Sequence, residues 1–274
     1  MKTIDLTNDY LECVLGHDDL SAYENSYPAL FDHYFTFWAT RDSFQAAPNR
    51  GEVRCRRDLV IAGLDRLAAR FENAGFDIAD LTIVLFVGTH RSNGHAFKDH
   101  DEFIVWLPVE TYTTPLLVDV FAAHEIIHGL HYAAEPRFYF QNADEKQFVS
   151  RQLITEGVAT YVTAAVLGVD GPTALWADHL DPSTLADWMR RCRNRRAELA
   201  RFLIEQYHSS DPEIVIFVMD DPGDIFRFRA GYFIGMEMIK SVVDEYELTL
   251  SRLLSLPRPN FEEAVLRKLH DLTT

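Results

Sequence analysis

The stretch PLLVDVFAAHEIIHGLHYAA, residues 115–134, guides the interpretation of the whole chain. It is mostly apolar, and Pro115 stands where proline suits the first turn of a helix. Residues four positions apart share one face of a helix, so His124 and His128 project together, with Glu125 beside them. The stretch therefore predicts an apolar helix that presents two imidazoles and a carboxylate at one place.

The pattern His-Glu-x-x-His has a chemical rationale. Two imidazoles one helical turn apart can bind one tetrahedral zinc ion, at about 2.0–2.1 Å each. Glu125 is then close enough to act on a metal-bound water molecule. Two histidines and a carboxylate are costly inside an apolar helix, which favours a metal site over a set of satisfied polar groups in the core.

A catalytic zinc ion needs a third protein ligand and one open position. We predict Glu156 as that ligand, because it follows His128 by 28 residues and has apolar neighbours, among which a buried carboxylate needs a cation. The alternative is a solvated helix carboxylate. Gly157 would let two helices approach closely. His131 also competes as a ligand, but three ligands at i, i+4 and i+7 would not surround a metal ion, so a supporting hydrogen bond or a substrate contact suits it better.

Strands are predicted before this helix and helices on both sides of it. The strands are LTIVLFVGT, residues 81–89, and EFIVWLPVE, residues 102–110, and Pro108 indicates that the second ends at a sheet edge. Residues 90–101 are predicted to form a loop. The aromatic stretch 27–44 is predicted to form one or two helices with core aromatics. Further helices are predicted at 53–74, 146–167, 184–208, 229–246 and 260–271.

This order predicts an α+β protein with a helical C-terminal lobe. We expect two subdomains, 1–135 with the sheet and the HExxH helix and 136–274 with helices alone, which form one catalytic unit with a cleft between them. In the helix at 53–74, one buried face is expected, and Gly75 is a suitable C-cap. The residues expected on that face are Leu59, Ala62, Leu64, Leu67 and Phe71.

Composition excludes several classes of partner. The formal net charge is −16, and an acidic protein repels phosphate backbones and anionic lipid headgroups, so we expect no nucleic acid and no membrane partner. Cys13, Cys55 and Cys192 form no CxxC pair, and a disulfide framework is not expected, which favours a reducing compartment. The first residues lack the pattern of a secretory signal, and no apolar run suits a membrane span. We therefore predict a cytoplasmic protein.

The runs HEIIHGLH, TEGVATY and AGYFIGMEMI, within about residues 80–243, together resemble a known family. They are similar to the gluzincin branch of zinc peptidases, the thermolysin-like zincins, and more narrowly to bacterial domains described as predicted zinc-dependent proteases. The resemblance implies a zincin-like fold: a small, mostly antiparallel sheet with an antiparallel edge strand above the cleft and the HEIIH helix beneath it. It also implies one zinc ion per chain, held by His124, His128 and Glu156, with Glu156 supplied by the helical lobe.

The sequence departs from that family at one position. Many thermolysin-like enzymes carry an aspartate four residues after the ligand glutamate, where it orients the first zinc histidine, but this chain has Thr160 there. The Thr160 hydroxyl could accept a hydrogen bond from His124, although it would not raise imidazole basicity as a carboxylate does. Asp119 and Asp144 are possible substitutes.

Two further features bear on substrate binding. Tyr232 could donate a hydrogen bond to an oxyanion, as a tyrosine or histidine of the C-terminal lobe does in similar peptidases; alternatively it is a core tyrosine between helix-packing glycines. In the loop from Gly88 to Phe97, Asn93 or the adjacent backbone could hold a peptide by strand addition, unless the loop simply faces solvent. The spacing of the three histidines at 90, 95 and 100 fits no pair of ligands on a helix face.

Together these residues predict a zinc metallopeptidase that cleaves a peptide or protein substrate with a zinc-activated water molecule. Glu125 is the expected general base and Tyr232 the expected oxyanion donor. Two alternatives stay open. One is a non-catalytic zincin-like binding or regulatory domain, which would not need Glu125. The other is a zinc hydrolase that acts on non-peptide amides.

Overall fold

The computed structural model describes residues 1–16, 20–41 and 50–273 of the chain. The chain divides into two compact units, Met1–Ala133 and Ala134–Thr274. The first contains a sheet and helices, and the described part of the second is helical apart from one isolated β-bridge, so the protein belongs to the α+β class.

The first unit contains a four-stranded mixed sheet with the strand order β1-β2-β4-β3. Its strands are β1 (Lys2–Asp5), β2 (Thr82–Phe86), β3 (His95–Asp99) and β4 (Glu102–Pro108). β1 pairs with β2 in parallel and β2 with β4 in parallel, whereas β3 and β4 are antiparallel. The expectation of a mostly antiparallel sheet is therefore wrong. The reason is that β3 lies outside β4, so the chain leaves β2, runs back along the edge, and returns through β4 in the direction of β2.

Residue pairing explains the position of Pro108. β4 is an interior strand, and Pro108 lies opposite Phe86 of β2. On its other side, β4 pairs with β3 only as far as Trp106, which lies opposite His95. Pro108 thus has a strand neighbour on one side only, which accommodates its missing N–H and confirms the expectation for the end of this strand.

Two strands were not predicted. β1 was not expected, and β3 lies within residues 90–101, which were predicted to form a loop. β2 and β4 agree with the predicted strands at 81–89 and 102–110. Every residue of β2 is buried, as is usual for an interior strand covered on both faces.

Four helices precede β2: α1 (Thr7–Gly16), α2 (Ser21–Ser26), α3 (Pro28–Phe37) and α4 (Arg50–Asn73). α3 accounts for much of the aromatic stretch, of which residues 42–44 lie outside the described residues. In α4, Leu59 is half-buried and Ala62 is exposed, so these two residues do not belong to the buried face as predicted. The buried residues form a stripe that is rotated slightly around the helix from the predicted one. That stripe consists of Val53, Val60, Gly63, Leu64, Leu67 and Phe71. Gly75 has φ +82° just after the helix, which confirms it as the C-cap.

Helices cover both faces of the sheet. On one face, Trp106 contacts Tyr34 of α3, with ring centroids 5.4 Å apart. On the other face lies the helix of residues 123–134, whose Gly129 approaches Val105 so closely that an added Cβ would be 3.1 Å from Val105 Cγ2. Successive side chains of a strand point to opposite faces of the sheet, so the neighbours Val105 and Trp106 of β4 contact the helices on the two different faces.

The second unit consists of helices. They are α7 (Ala143–Gln147), α8 (Val149–Leu167), α9 (Gly171–Trp176), α10 (Pro182–Asn194), α11 (Arg196–Glu205), α12 (Ala230–Tyr246), α13 (Leu250–Leu254) and α14 (Arg258–Asp271). The predicted helix at 184–208 is interrupted at Arg195, and the one at 146–167 begins only at Val149, because Phe148 has an extended ψ of 118°. The predictions at 229–246 and 260–271 agree with α12 and α14.

α8 and α12 cross with their backbones in contact. A Cβ atom added to Gly157 of α8 would lie 2.6 Å from the carbonyl carbon of Gly235 in α12. Gly157 thus allows a close approach of two helices, and its partner in this contact is α12.

Among the described residues, no helix is long and apolar enough to cross a membrane. Cys13, Cys55 and Cys192 are free thiols.

Candidate metal centre

The segment 115–134 is helical throughout, with one irregularity. Thr114 caps it, since its Oγ1 accepts a hydrogen bond from the Leu117 N–H at 3.1 Å, and Pro115 begins the first turn. The chain then passes from α5 (Pro115–Leu117) through a π-helical turn (Val118–Ala122) into α6 (Ala123–Ala134). The π turn was not predicted. Such turns often occur at functional sites, and this one ends immediately before the residues of the HExxH motif.

α6 brings the two motif histidines together, as the spacing predicted. Their side chains are buried, and the Nε2 atoms of His124 and His128 lie 3.1 Å apart. One explanation is a direct N–H···N hydrogen bond. The other is a shared cation, since two zinc–nitrogen bonds of about 2.0–2.1 Å at a tetrahedral angle place the nitrogens roughly 3.3 Å apart. The observed separation therefore suits one zinc ion bound by both imidazoles.

Glu156 completes a set of three potential ligands. It lies half-buried in α8, next to Gly157. One ligand atom each from His124, His128 and Glu156 lies within 4.8 Å of the other two, and no other group of this kind occurs in the described part of the chain. Two imidazoles and a carboxylate are the protein ligands of one class of catalytic zinc site, so these residues fit the metal that the sequence implies.

Glu125 lies against the backbone that leads into β3. Its side chain is buried, and a Cβ atom added to Gly94 would lie 2.7 Å from Glu125 Cγ. The same atom would lie 2.9 Å from the Trp106 carbonyl oxygen, so only glycine fits between the helix and the hairpin at this point. Burial raises the pKa of the Tyr112 phenol well above its usual range, and the negative charge of Glu125 adds to that shift.

A second buried carboxylate, Glu110, holds the loop that approaches Glu125. It accepts hydrogen bonds from the N–H groups of Gly88 and His90 at 2.9 and 3.1 Å. Burial raises the pKa of Glu110, while these backbone donors oppose the shift. Glu110 was not predicted as a functional residue from the sequence, although a carboxylate at the end of an apolar strand was a signal that could have indicated it.

Two tyrosines secure the same loop. Tyr23 Oη accepts a hydrogen bond from the Val87 N–H at 2.7 Å and lies 3.0 Å from the Val87 carbonyl oxygen, to which it donates. Tyr34 Oη accepts from the Thr89 N–H at 2.9 Å and also bonds to the Thr89 hydroxyl. The backbone after β2 is thus held by side chains from α2 and α3 rather than by strand pairing.

The environment of Asn93 limits its predicted role in strand addition. Its backbone carbonyl accepts a hydrogen bond from the Tyr112 hydroxyl, so this oxygen is already engaged within the protein. The adjacent strand β3 is at the edge of the sheet. An added strand would therefore pair with β3 itself rather than with the Asn93 carbonyl.

The histidines of this region do not form a second cluster. His90 and His100 are exposed, whereas His95 is buried between aromatic rings. The ring centroid of His95 lies 5.7 Å from that of His33 and 4.8 Å from that of Trp38. These contacts make His95 a core residue of the first unit.

Three residues were considered as possible partners of His124. Thr160 Oγ1 is buried and forms no hydrogen bond with any residue that the structure describes. Asp119 forms an ion pair with Arg66 at 2.6 Å, and Asp144 is exposed in the first turn of α7. The hydroxyl and the two carboxylates thus have local environments that the sequence pattern did not reveal.

His131 is fully buried in α6, and its ring lies nearly parallel to that of Tyr132 with centroids 6.2 Å apart. It is not part of the three-ligand group, and its role as a supporting or substrate contact stays a prediction.

Tyr232 lies half-buried in the first turn of α12. The guanidinium carbon of Arg229 lies 4.1 Å from the centre of its ring, and the Phe217 ring centroid is 6.3 Å away. The neighbouring Gly231 packs against Phe217. These contacts hold the aromatic ring in place, and the oxyanion role of its hydroxyl stays a prediction.

Comparisons with known proteins do not extend this description: no family model, no curated protein and no solved structure matches the chain. Its function is therefore inferred from the ligand set and from the residues around Glu125.

Proposed function

We propose that the protein is a zinc-dependent metallopeptidase with one zinc ion held by His124, His128 and Glu156. The observation that carries the proposal is the 3.1 Å separation of the two imidazole Nε2 atoms, with a carboxylate oxygen of Glu156 in the same group. Nitrogen and carboxylate ligands in this number leave one coordination position for water, which distinguishes a catalytic from a structural zinc site. The resemblance to gluzincins supports the same ligand set and a zincin-like fold.

When bound, the metal supplies a water molecule of lowered pKa and polarises the carbonyl group of the substrate. Glu125 would act as the general base that takes a proton from the attacking water and would later return this proton to the leaving nitrogen. Burial of Glu125 against Gly94 keeps its carboxylate in one orientation and limits its contact with bulk water. Tyr232 would donate a hydrogen bond to the developing oxyanion.

We further propose that the substrate is an extended peptide that pairs with β3. An edge strand offers a row of backbone donors and acceptors to an added strand. β3 begins at His95, directly after the glycine that contacts Glu125. A peptide paired with the start of β3 would therefore have its backbone near the general base.

Charge and redox state bear on partners and compartment. A net charge of −16 favours peptide or protein substrates over nucleic acid and anionic membranes. Free cysteines agree with the reducing compartment expected for a cytoplasmic protein.

The test is Glu125→Gln, compared with wild type and with the exposed control Glu102→Gln. Zinc content is measured by elemental analysis, and activity by hydrolysis of a quenched fluorescent peptide library. We expect about one zinc per chain in all three proteins, and a loss of turnover of at least about 100-fold in Glu125→Gln alone, as for removal of a general base. Full activity of Glu125→Gln would refute the mechanism. Bound zinc with no peptide cleavage by wild type would favour a binding domain or a hydrolase of other amides.

A further inference from the structure

Arg151 in α8 is a buried cation with little local compensation. Its side chain is 3% exposed. A guanidinium has five N–H donors, yet Arg151 forms one hydrogen bond, from Nη1 to Thr155 Oγ1, at a long 3.3 Å. Its Nε is buried and has no hydrogen-bond partner within the part of the chain that the structure describes. The donors that bind planar anions are therefore largely unused.

A buried arginine normally pairs with a carboxylate, because an uncompensated charge in the interior is costly. Over residues 1–16, 20–41 and 50–273, no aspartate or glutamate forms an ion pair with Arg151. This arrangement indicates that the counter-ion of Arg151 lies outside the described residues, and a bound anion would meet that need. A charge of this kind is physically reasonable where an anionic ligand offsets the free energy lost on removing the guanidinium from water.

The surroundings of Arg151 orient it for a planar anion. Its guanidinium carbon lies 5.1 Å from the centre of the buried Phe140 ring. Contact with the aromatic ring restrains the orientation of the guanidinium group and of its N–H donors. A second cation is close by: burial, and then the charge of Arg151, lower the pKa of Lys146 to about 8. Two cations in one region of an acidic chain create a locally positive field.

Arg151 is also near the proposed catalytic centre along the chain. It lies five residues before Glu156 in the same helix, and its hydrogen bond to Thr155 places the guanidinium at the turn that carries Glu156. An anion bound by Arg151 would therefore lie close to the level of Glu156 along the helix axis, but about 100° around the helix from it.

We propose that Arg151 is the binding site for a carboxylate of the substrate, held by a bidentate pair of charge-assisted hydrogen bonds. This carboxylate is either the C-terminus of a peptide or an acidic side chain. The link to cleavage rests on the proposed peptidase function, but binding of the carboxylate does not.

Binding is tested in full-length Glu125→Gln, which is expected to retain peptides without cleaving them. The protein is labelled with ¹⁵N, and the Nε–H signals of its arginines are recorded by NMR. The signal of Arg151 is the one that disappears when Arg151→Met is added to the Glu125→Gln protein. Four probes are titrated: N-acetyl-tetraalanine as the free acid and as the amide, and N-acetyl-Ala-Glu-Ala-amide with its glutamine counterpart. We expect one or both acids to shift the Arg151 signal saturably, and to bind at least tenfold more tightly than their neutral partners.

The two pairs of probes distinguish the two sources of the carboxylate. If only the tetraalanine acid shifts the Arg151 signal, the site binds a peptide C-terminus; if only the glutamate peptide shifts it, the site binds an acidic side chain. If neither acid shifts the signal, or if acid and amide bind equally, the proposal is overturned. A preference for acids that persists in Arg151→Met would overturn it as well.

Stability provides an independent measurement. Arg151→Met keeps the length and apolar stem of the side chain and removes an uncompensated charge, so we expect a melting temperature equal to or above that of wild type. A purely structural arginine would give a lower melting temperature, restored by Arg151→Lys; that result, together with equal binding of acids and amides, would overturn the proposal. If wild type cleaves no peptide while acids still bind at Arg151, the peptidase function fails and the carboxylate site stands.

Discussion

Gly94 and Glu125 are in direct contact, with space for a hydrogen but not for a methyl group between the Gly94 backbone and the Glu125 side chain. An added Cβ would be 2.7 Å from Glu125 Cγ and 2.9 Å from Leu107 Cδ2. The position of the proposed general base therefore depends on the backbone that leads into the edge strand.

Gly94→Ala is expected to displace Glu125 and to lower kcat at least about tenfold, since misplacement of a catalytic group by about 1 Å can cost more than that. Zinc content should not change, because no ligand contacts the new methyl group directly. The control is Gly75→Ala, which has φ +82° with nothing within 4 Å of the added atom. It should lower the melting temperature but leave kcat intact. Equal kcat values for Gly94→Ala and wild type would contradict this role of the contact.

Glu110 makes stability depend on pH in a defined direction. Because burial raises its pKa in the folded protein above the ordinary value of 4.5, the folded state binds this proton more tightly than the unfolded chain does. The stability that this bound proton adds to the folded protein is fully present below pH 4.5 and is lost as the pH rises through the folded-state pKa of Glu110. The difference in unfolding free energy between wild type and Glu110→Gln should therefore decrease over this interval, as followed by urea denaturation. An exposed control, Glu72→Gln, should show no such trend, and a flat difference for Glu110→Gln would contradict the assignment.

Gly157→Ala is expected to disturb the crossing of α8 and α12. The methyl group would meet the Gly235 backbone at 2.6 Å, and overpacking of this kind costs about 1–3 kcal/mol. Since Glu156 is the preceding residue, zinc affinity should also fall. The matched control is Gly171→Ala, whose Cβ would meet only the flexible end of Met236, at 3.1 Å. Chemical denaturation and zinc titration measure the two effects, and equal behaviour of the two variants would refute the argument.

Thr160→Val is expected to leave zinc affinity unchanged and to leave the unfolding free energy equal or higher. The Thr160 hydroxyl is buried without a hydrogen bond, and replacing such a group by a methyl removes a desolvation cost of about 1–3 kcal/mol. Thr155→Val serves as the comparison, because it deletes the acceptor of the Arg151 hydrogen bond. A tenfold loss of zinc affinity in Thr160→Val would show that this hydroxyl supports a metal ligand after all.

The sequence was sufficient wherever one local pattern determines the structure. α4, α6 and β2 have apolar residues at the spacing of their buried faces, so their presence follows from periodicity. The pairing of His124 with His128 follows from the helical repeat in the same way.

The parts that were missed depend on long-range contacts. β1 reads KTID and β3 reads HAFKD, and neither resembles a buried strand by composition. His95 is buried only because the rings of His33 and Trp38 reach it from elsewhere in the chain. Glu110 binds amides of residues 20 and 22 positions away, which no local pattern encodes.

The parallel pairing of β1 with β2 also has a consequence for the order of folding. Lys2 lies opposite Thr82, eighty positions further along the chain, so β1 leaves the ribosome without its partner, which follows only after α4 and the start of β2 have been synthesised. Closing so long a loop lowers the conformational entropy of the chain, and only the contacts within the assembled sheet offset this loss. β1 is therefore expected to join the sheet late during synthesis, after β2, β3 and β4 have formed a base on which it can dock.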